Sequence, residues 1–216
     1  MAYGFCAGEI YFKGRIAVQK LAIYIHGKGG SAAESEHYAT VLKEYDVIGL
    51  DYKANDVWQA LEEFPKLYDS VRVGYDEVIV IANSIGAYYT MQALWNRNIS
   101  KAFFISPIVN MEKLISDMMM WANVAEDVLR EKKLIETSFG ETLSWEYLCY
   151  ASESTDKWAI PTDILYGTAG NLTSLETVTE FADKHNASLT IMENGEHWFH
   201  TDEQMRVVDE WIIGDR

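Results

Sequence analysis

The residues of this chain best suited to chemistry are one serine, a few histidines and a glycine-rich loop. Ser84 stands in Ala82-Asn83-Ser84-Ile85-Gly86, after the apolar run Val78-Ile79-Val80-Ile81 and before a helical pattern from Ala87 to Leu94. A serine on a sharp strand-to-helix turn can present its hydroxyl as a nucleophile. The residues two positions either side must then be small, because strand and helix backbones pass close together there. Ala82 and Gly86 meet that need. The same five residues also fit a serine that only N-caps a helix. Two further stretches follow apolar runs: His26-Gly27-Lys28-Gly29-Gly30 after Leu21 to Ile25, and Gly195-Glu196-His197-Trp198-Phe199 after Leu189 to Met192.

Strands and helices must hold these residues. Leu21 to Ile25, Val47 to Leu50, Val78 to Ile81, Ala102 to Ile105, Ile164 to Tyr166 and Leu189 to Met192 read as strands; most are continuously apolar, as strands buried on both faces are. Residues 8 to 18 read as one or two short strands around Gly14. Between the strands lie helical patterns. One starts at the capping box Ser31 with Glu34, one spans Val57 to Tyr68 with Pro65 bending or dividing it, and one starts at Thr173 with Glu176. The last starts near Thr201 with Gln204 and buries Met205, Val208, Trp211 and Ile212. Buried strands alternating with amphipathic helices make an α/β protein: a mostly parallel sheet with helices on both faces.

One segment breaks the alternation. No strand pattern stands between Pro107 and Pro161, only helical stretches such as Leu114 to Leu129 and Trp145 to Ala151. The expected organisation is a single domain over 1–216 with a helical cap insertion at 108–160, set over the strand ends where ligands bind in open α/β sheets. Met118, Met119, Met120, Trp121, Trp145, Tyr147, Tyr150 and Trp158 then form the cap's own core or an apolar wall for an acyl group or aromatic ring.

Bulk properties narrow the partners. The 216 residues suit one α/β domain with a sizeable core, and 49% of them are apolar. A formal net charge of −15 argues against nucleic acid and disfavours strongly anionic substrates, unless a local basic pocket overrides it. Cys6 and Cys149 are far apart and in no metal-ligand spacing, which reads as two free thiols in a reducing compartment. Neither a signal peptide nor a membrane-length apolar run is evident, so a cytoplasmic location without a membrane partner is expected.

The serine turn, the preceding glycine loop and the following Glu196-His197 stand in an order that resembles the α/β-hydrolase superfamily, especially its small, capped, carboxylesterase-like members. The resemblance spans about Lys20 to Ile213. It implies that Ser84 is the nucleophile and His197 the general base. A serine hydroxyl needs an adjacent base at neutral pH, and histidine titrates nearest that pH. It further implies an oxyanion hole made of the backbone N–H groups of Ile85 and Lys28. The Lys28 side chain is expected to face solvent and His26 to brace the loop. No cofactor is implied. His200 lies three residues after His197, a conceivable metal pair that reads better as the entry to the last helix. His37 and His185 read as solvated residues on helix surfaces.

The pattern fails at one place. The family takes its acid from the loop after the strand that is here Ile164 to Tyr166, three residues beyond the glycine corresponding to Gly167, and that position is Gly170. The adjacent Asn171 cannot offset an imidazolium charge. Glu112, from the loop after the preceding strand, and Glu176 are the alternative carboxylates; otherwise the position is vacant, naturally or by replacement of an aspartate. The expected function is therefore a serine hydrolase of small neutral carboxylic esters or related acyl compounds, acting through an acyl-enzyme. The alternatives are a hydrolase-like binding protein with weak or no catalysis, and a thioesterase or peptidase using the same nucleophile.

Overall fold

The computed structural model describes residues 18–170 and 172–214. The expected strands before residue 18, Cys6 and Asn171 lie outside them. Six strands form one sheet: β1 (Lys20–Ile25), β2 (Asp46–Gly49), β3 (Glu77–Asn83), β4 (Lys101–Ile105), β7 (Thr162–Ala169) and β8 (Ser188–Glu196). Their order is β2-β1-β3-β4-β7-β8, and every neighbouring pair is parallel.

Alternation along each strand sends side chains to two cores. Leu21, Ile23, Ile25, Val78, Val80 and Ala82 meet helices α2 (Val57–Val71), α3 (Ile85–Leu94) and α7 (Leu175–His185) on one face. Ala22, Tyr24, Ile79, Ile81 and Phe103 meet α1 (Ser35–Val41) and α8 (Asp202–Gly214) on the other. The expected α/β architecture is thus realised, with the C-terminal strand ends at one rim.

Several boundaries differ from the sequence expectation. Pro65 sits inside α2 without dividing it, because Phe64 and Tyr68 are buried on either side and hold the helix against the sheet. The helix expected from Thr173 begins one residue later: Ser174 caps α7 by accepting from Thr177 N, while the Thr173 carbonyl accepts from the Tyr166 hydroxyl at 2.9 Å. The Thr201–Gln204 start is close to the expected box, since Gln204 N donates to Thr201 Oγ1 at 3.3 Å, but the glutamine side chain reaches back to His200 N instead of Thr201 N.

The segment between β4 and β7 holds α4 (Met111–Trp121), α5 (Glu126–Lys132), β5 (Leu134–Glu136), β6 (Thr142–Ser144) and α6 (Trp145–Glu153). The single stretch expected from Leu114 to Leu129 is two helices, parted at Asn123, whose φ is 52°. The segment is not wholly helical: β5 and β6 form an antiparallel hairpin where no strand was expected. Three-residue strands are too short to show an alternating pattern. Among the described residues no helix is long and apolar enough to cross a membrane.

Candidate active site

β3 delivers its chain to the rim and turns it sharply into α3 at Ser84, whose backbone adopts φ 52°, ψ −119°. For a residue with a Cβ this is a strained conformation. The turn is tied down on both sides: Ser84 N donates to Ile105 O at 3.0 Å, and Ile108 N donates to Ser84 O at 3.2 Å. The small neighbours follow from steric limits. A Cβ on Gly86 would lie 2.4 Å from His26 O and 2.9 Å from Ile25 O, and one on Gly27 would lie 3.1 Å from Ser84 Cβ. The loop after β1 therefore rests directly against the serine.

Ser84 occupies the N-cap position of α3, yet its side chain makes no capping hydrogen bond. Its Oγ lies 2.9 Å from His197 Nε2 instead. The hydroxyl donates in that contact when the ring carries its proton on Nδ1. His197 follows β8 directly, and the close approach that brings it there depends on two facing glycines. A Cβ on Gly167 would lie 2.3 Å from Gly195 O. Phe199, 1% exposed, anchors the loop in the core below. Burial lowers the His197 pKa from its ordinary 6.5, which favours the neutral ring.

His26 has a bracing geometry. Its Nδ1 lies 2.8 Å from Gly27 O, its ring stacks on Tyr52 at 4.2 Å, and the Tyr52 hydroxyl donates to His26 O at 2.7 Å. Gly29 has φ +78°, and Gly30 N closes the turn on Gly27 O at 3.1 Å. Neither Tyr52 nor the loop's other partner, Glu141, was visible as a site residue in the sequence. The Lys28 side chain faces solvent as expected, 71% exposed, and donates to both oxygens of Glu141 at 2.6 and 2.7 Å.

No family model matches the chain, and no curated protein matches it. Solved structures do. A lipase-esterase related protein from Clostridium acetobutylicum is 19% identical, with a TM-score of 0.63 over 91% of this chain and 94% of that one. An esterase of Pyrococcus furiosus is 17% identical, with a TM-score of 0.60 over 91% and 81%. The mouse alpha/beta hydrolase domain-containing protein 10 is 14% identical, with a TM-score of 0.68 over 90% and 88%. This chain has the α/β-hydrolase fold.

Within this α/β-hydrolase fold, Gly170 and His197 are the residues that follow β7 and β8, whose last register pair is Ala169 with Glu196. Gly170 has φ +73°, and a Cβ built there meets nothing within 4 Å. Of the alternative carboxylates, Glu112 is exposed in the first turn of α4 and Glu176 is exposed in the first turn of α7.

The remaining histidines have partners that the sequence did not suggest. His37 Nε2 meets Asp209 at 2.6 Å, joining α1 to α8. His185, with only 9% of its side chain exposed, meets Asp156 at 2.7 Å and the Trp158 carbonyl at 3.0 Å. Both are tertiary struts, not solvated surface residues. His200 Nδ1 meets Glu196 at 2.9 Å at the entry to α8. Among the described residues no group of three or more His, Cys, Asp or Glu is placed to hold a metal ion.

The aromatic and methionine residues of the inserted segment divide between roles. Trp158 and Met119 are core, whereas Met120 and Trp121 are 68% and 53% exposed. A cavity of about 580 Å³ lies between α3 and the inserted segment, lined by Tyr88, Trp95, Tyr150 and Trp158. A second of about 460 Å³ lies within the segment, lined by Met119, Met120 and Trp145.

Proposed function

We propose that the chain is a serine hydrolase cleaving small neutral carboxylic esters or related acyl compounds. The observation that carries this reading is the 2.9 Å contact between Ser84 Oγ and His197 Nε2 at a strained strand-to-helix turn. Ser84 attacks the acyl carbon while its proton passes to His197 Nε2. The carbonyl oxygen gains the displaced electron pair and is held by the backbone N–H groups of Ile85, at the start of α3, and Lys28, on the loop against Ser84. Collapse of this adduct breaks the bond to the leaving alcohol, which takes the proton from His197. Water, deprotonated by the same ring, then releases the acid and frees Ser84. Residues 108–160 act as the cap, with part of their apolar surface facing the acyl chain.

Gly170 favours a second reading, in which turnover is slow or the fold serves binding. The acid of a triad fixes the imidazole tautomer and stabilises the imidazolium, and its loss in a serine protease costs about 10⁴ in turnover. Hydrolysis of a short nitrophenyl ester tests the first reading: Ser84→Ala is expected to abolish it, and hydrolysis undiminished in that variant would refute it.

A further inference from the structure

The Lys28–Glu141 bridge ties the loop that rests against Ser84 to the connection between β5 and β6, and its geometry gives Glu141 a role at the proposed site. Lys28 follows Gly27, whose backbone abuts Ser84, so the ammonium stands within one side chain's length of the nucleophile's loop. Glu141 comes from the opposite direction, on the connection between β5 and β6, 113 residues away in sequence. Its backbone is clamped in a local ring. Thr137 N donates to Glu141 O at 2.9 Å, Thr137 Oγ1 donates to the same carbonyl at 2.7 Å, and Glu141 N donates to Thr137 Oγ1 at 3.0 Å. The carboxylate is thus presented on a braced hairpin, with both of its oxygens accepting from one ammonium.

Stability does not account for this arrangement. The two side chains are 71% and 43% exposed, and pairs so exposed add little to folding. Their effect is on the local field. In a chain of net charge −15, an uncompensated Lys28 would offer a positive point at the entrance to Ser84 and attract an anionic group. Lys53, after β2, is itself paired with Asp51 at 2.7 Å.

We propose that Glu141 is a specificity-determining residue: by neutralising Lys28 it makes the site select neutral esters over esters that carry a carboxylate. This inference rests on the hydrolase reading and names its substrate class more narrowly. It differs from a general repulsion by the acidic surface, because it assigns opposite effects to two side chains in contact.

The test compares kcat/KM for a short neutral nitrophenyl ester with that for its analogue bearing a terminal carboxylate, and follows their ratio through a double-mutant cycle. Glu141→Gln frees Lys28 and is expected to shift the ratio toward the anionic ester by about three- to tenfold at low salt, shrinking in about 0.5 M salt. Lys28→Met leaves Glu141 uncompensated and is expected to shift it the opposite way by a similar factor. The double variant is expected to return near the parent ratio. Any general damage to the loop affects both esters and cancels. Single variants that leave the ratio unmoved, or move it in the same direction, would overturn the proposal. Should the parent hydrolyse neither ester, the hydrolase reading fails by itself; the same ratio is then read from equilibrium binding of the two esters, so the two failures are distinguishable.

Discussion

Gly170→Asp is the perturbation with the largest expected consequence. Gly170 and His197 each come directly after the Ala169–Glu196 register pair of two neighbouring parallel strands, which lie about 4.8 Å apart. A Cβ there meets open space, so the first side-chain atom of an aspartate is placed without a clash. The cost is backbone strain. At φ +73° a non-glycine residue loses about 1 to 2 kcal/mol, with aspartate among the residues that tolerate the region best. In a domain of this size that lowers the thermal midpoint by about 2 to 8 °C. The gain is catalytic, bounded by the roughly 10⁴-fold worth of a triad acid, or about 5.5 kcal/mol of barrier. Turnover of a nitrophenyl ester is expected to rise by at least about tenfold. The charge also has a second signature. Burial lowers the His197 pKa in the parent, and a carboxylate beside the ring raises it, so the acid limb of kcat/KM moves to higher pH. Gly170→Asn carries similar strain without charge and is expected to produce neither effect. A folded Gly170→Asp protein with parental turnover and an unmoved acid limb would refute the reasoning.

Three further outcomes follow from the same geometry. Ser84→Gly and Ser84→Ala both remove the hydroxyl, but only glycine relieves φ 52°, so Ser84→Gly is expected to be the more stable of the two by about 1 kcal/mol in denaturant melts. Gly86→Ala would put a Cβ 2.4 Å from His26 O, a backbone atom that cannot yield cheaply; a loss of about 2 to 4 kcal/mol is expected by the same melts, together with most of the activity. The third concerns pH. The unfolded chain takes up a proton on His197 near 6.5 and the folded chain only at lower pH. His197 therefore costs stability as pH falls from 6.5 through its folded value. His197→Gln is expected to flatten the decline in thermal midpoint between about pH 7 and pH 5.

Much of this site was legible because its chemistry sits on strong local patterns. The apolar runs of β1 and β3 lead to His26 to Gly30 and to Ser84, and β8 continues past its apolar run to Glu196, with His197 next. Parallel strands bring such ends to one rim, so the order of motifs along the chain became proximity in space. Whether the Ser84 hydroxyl caps the helix or points to His197 was not legible in its own five residues, because the partner stands 113 positions away. The same separation hid Glu141 as the partner of Lys28. His37 and His185 looked solvated for a related reason: Asp209 and Asp156 approach them from other elements. The β5–β6 hairpin escaped notice because its strands are three residues each and rest on turn geometry at Gly140, φ +86°, not on a hydrophobic period. Gly170 stood out in the sequence as a change of residue type at a fixed offset from Gly167.

The central claim is that Ser84 is a nucleophile activated by His197, and it is tested most directly by locating a covalent adduct. The protein is treated with a fluorophosphonate, digested, and the modified peptide is identified by mass spectrometry. Labelling is expected on Ser84 alone, slowed by at least about tenfold in His197→Ala and lost in Ser84→Ala. Absence of an adduct on Ser84 in the folded parent protein, or labelling at an unchanged rate without His197, would contradict the claim.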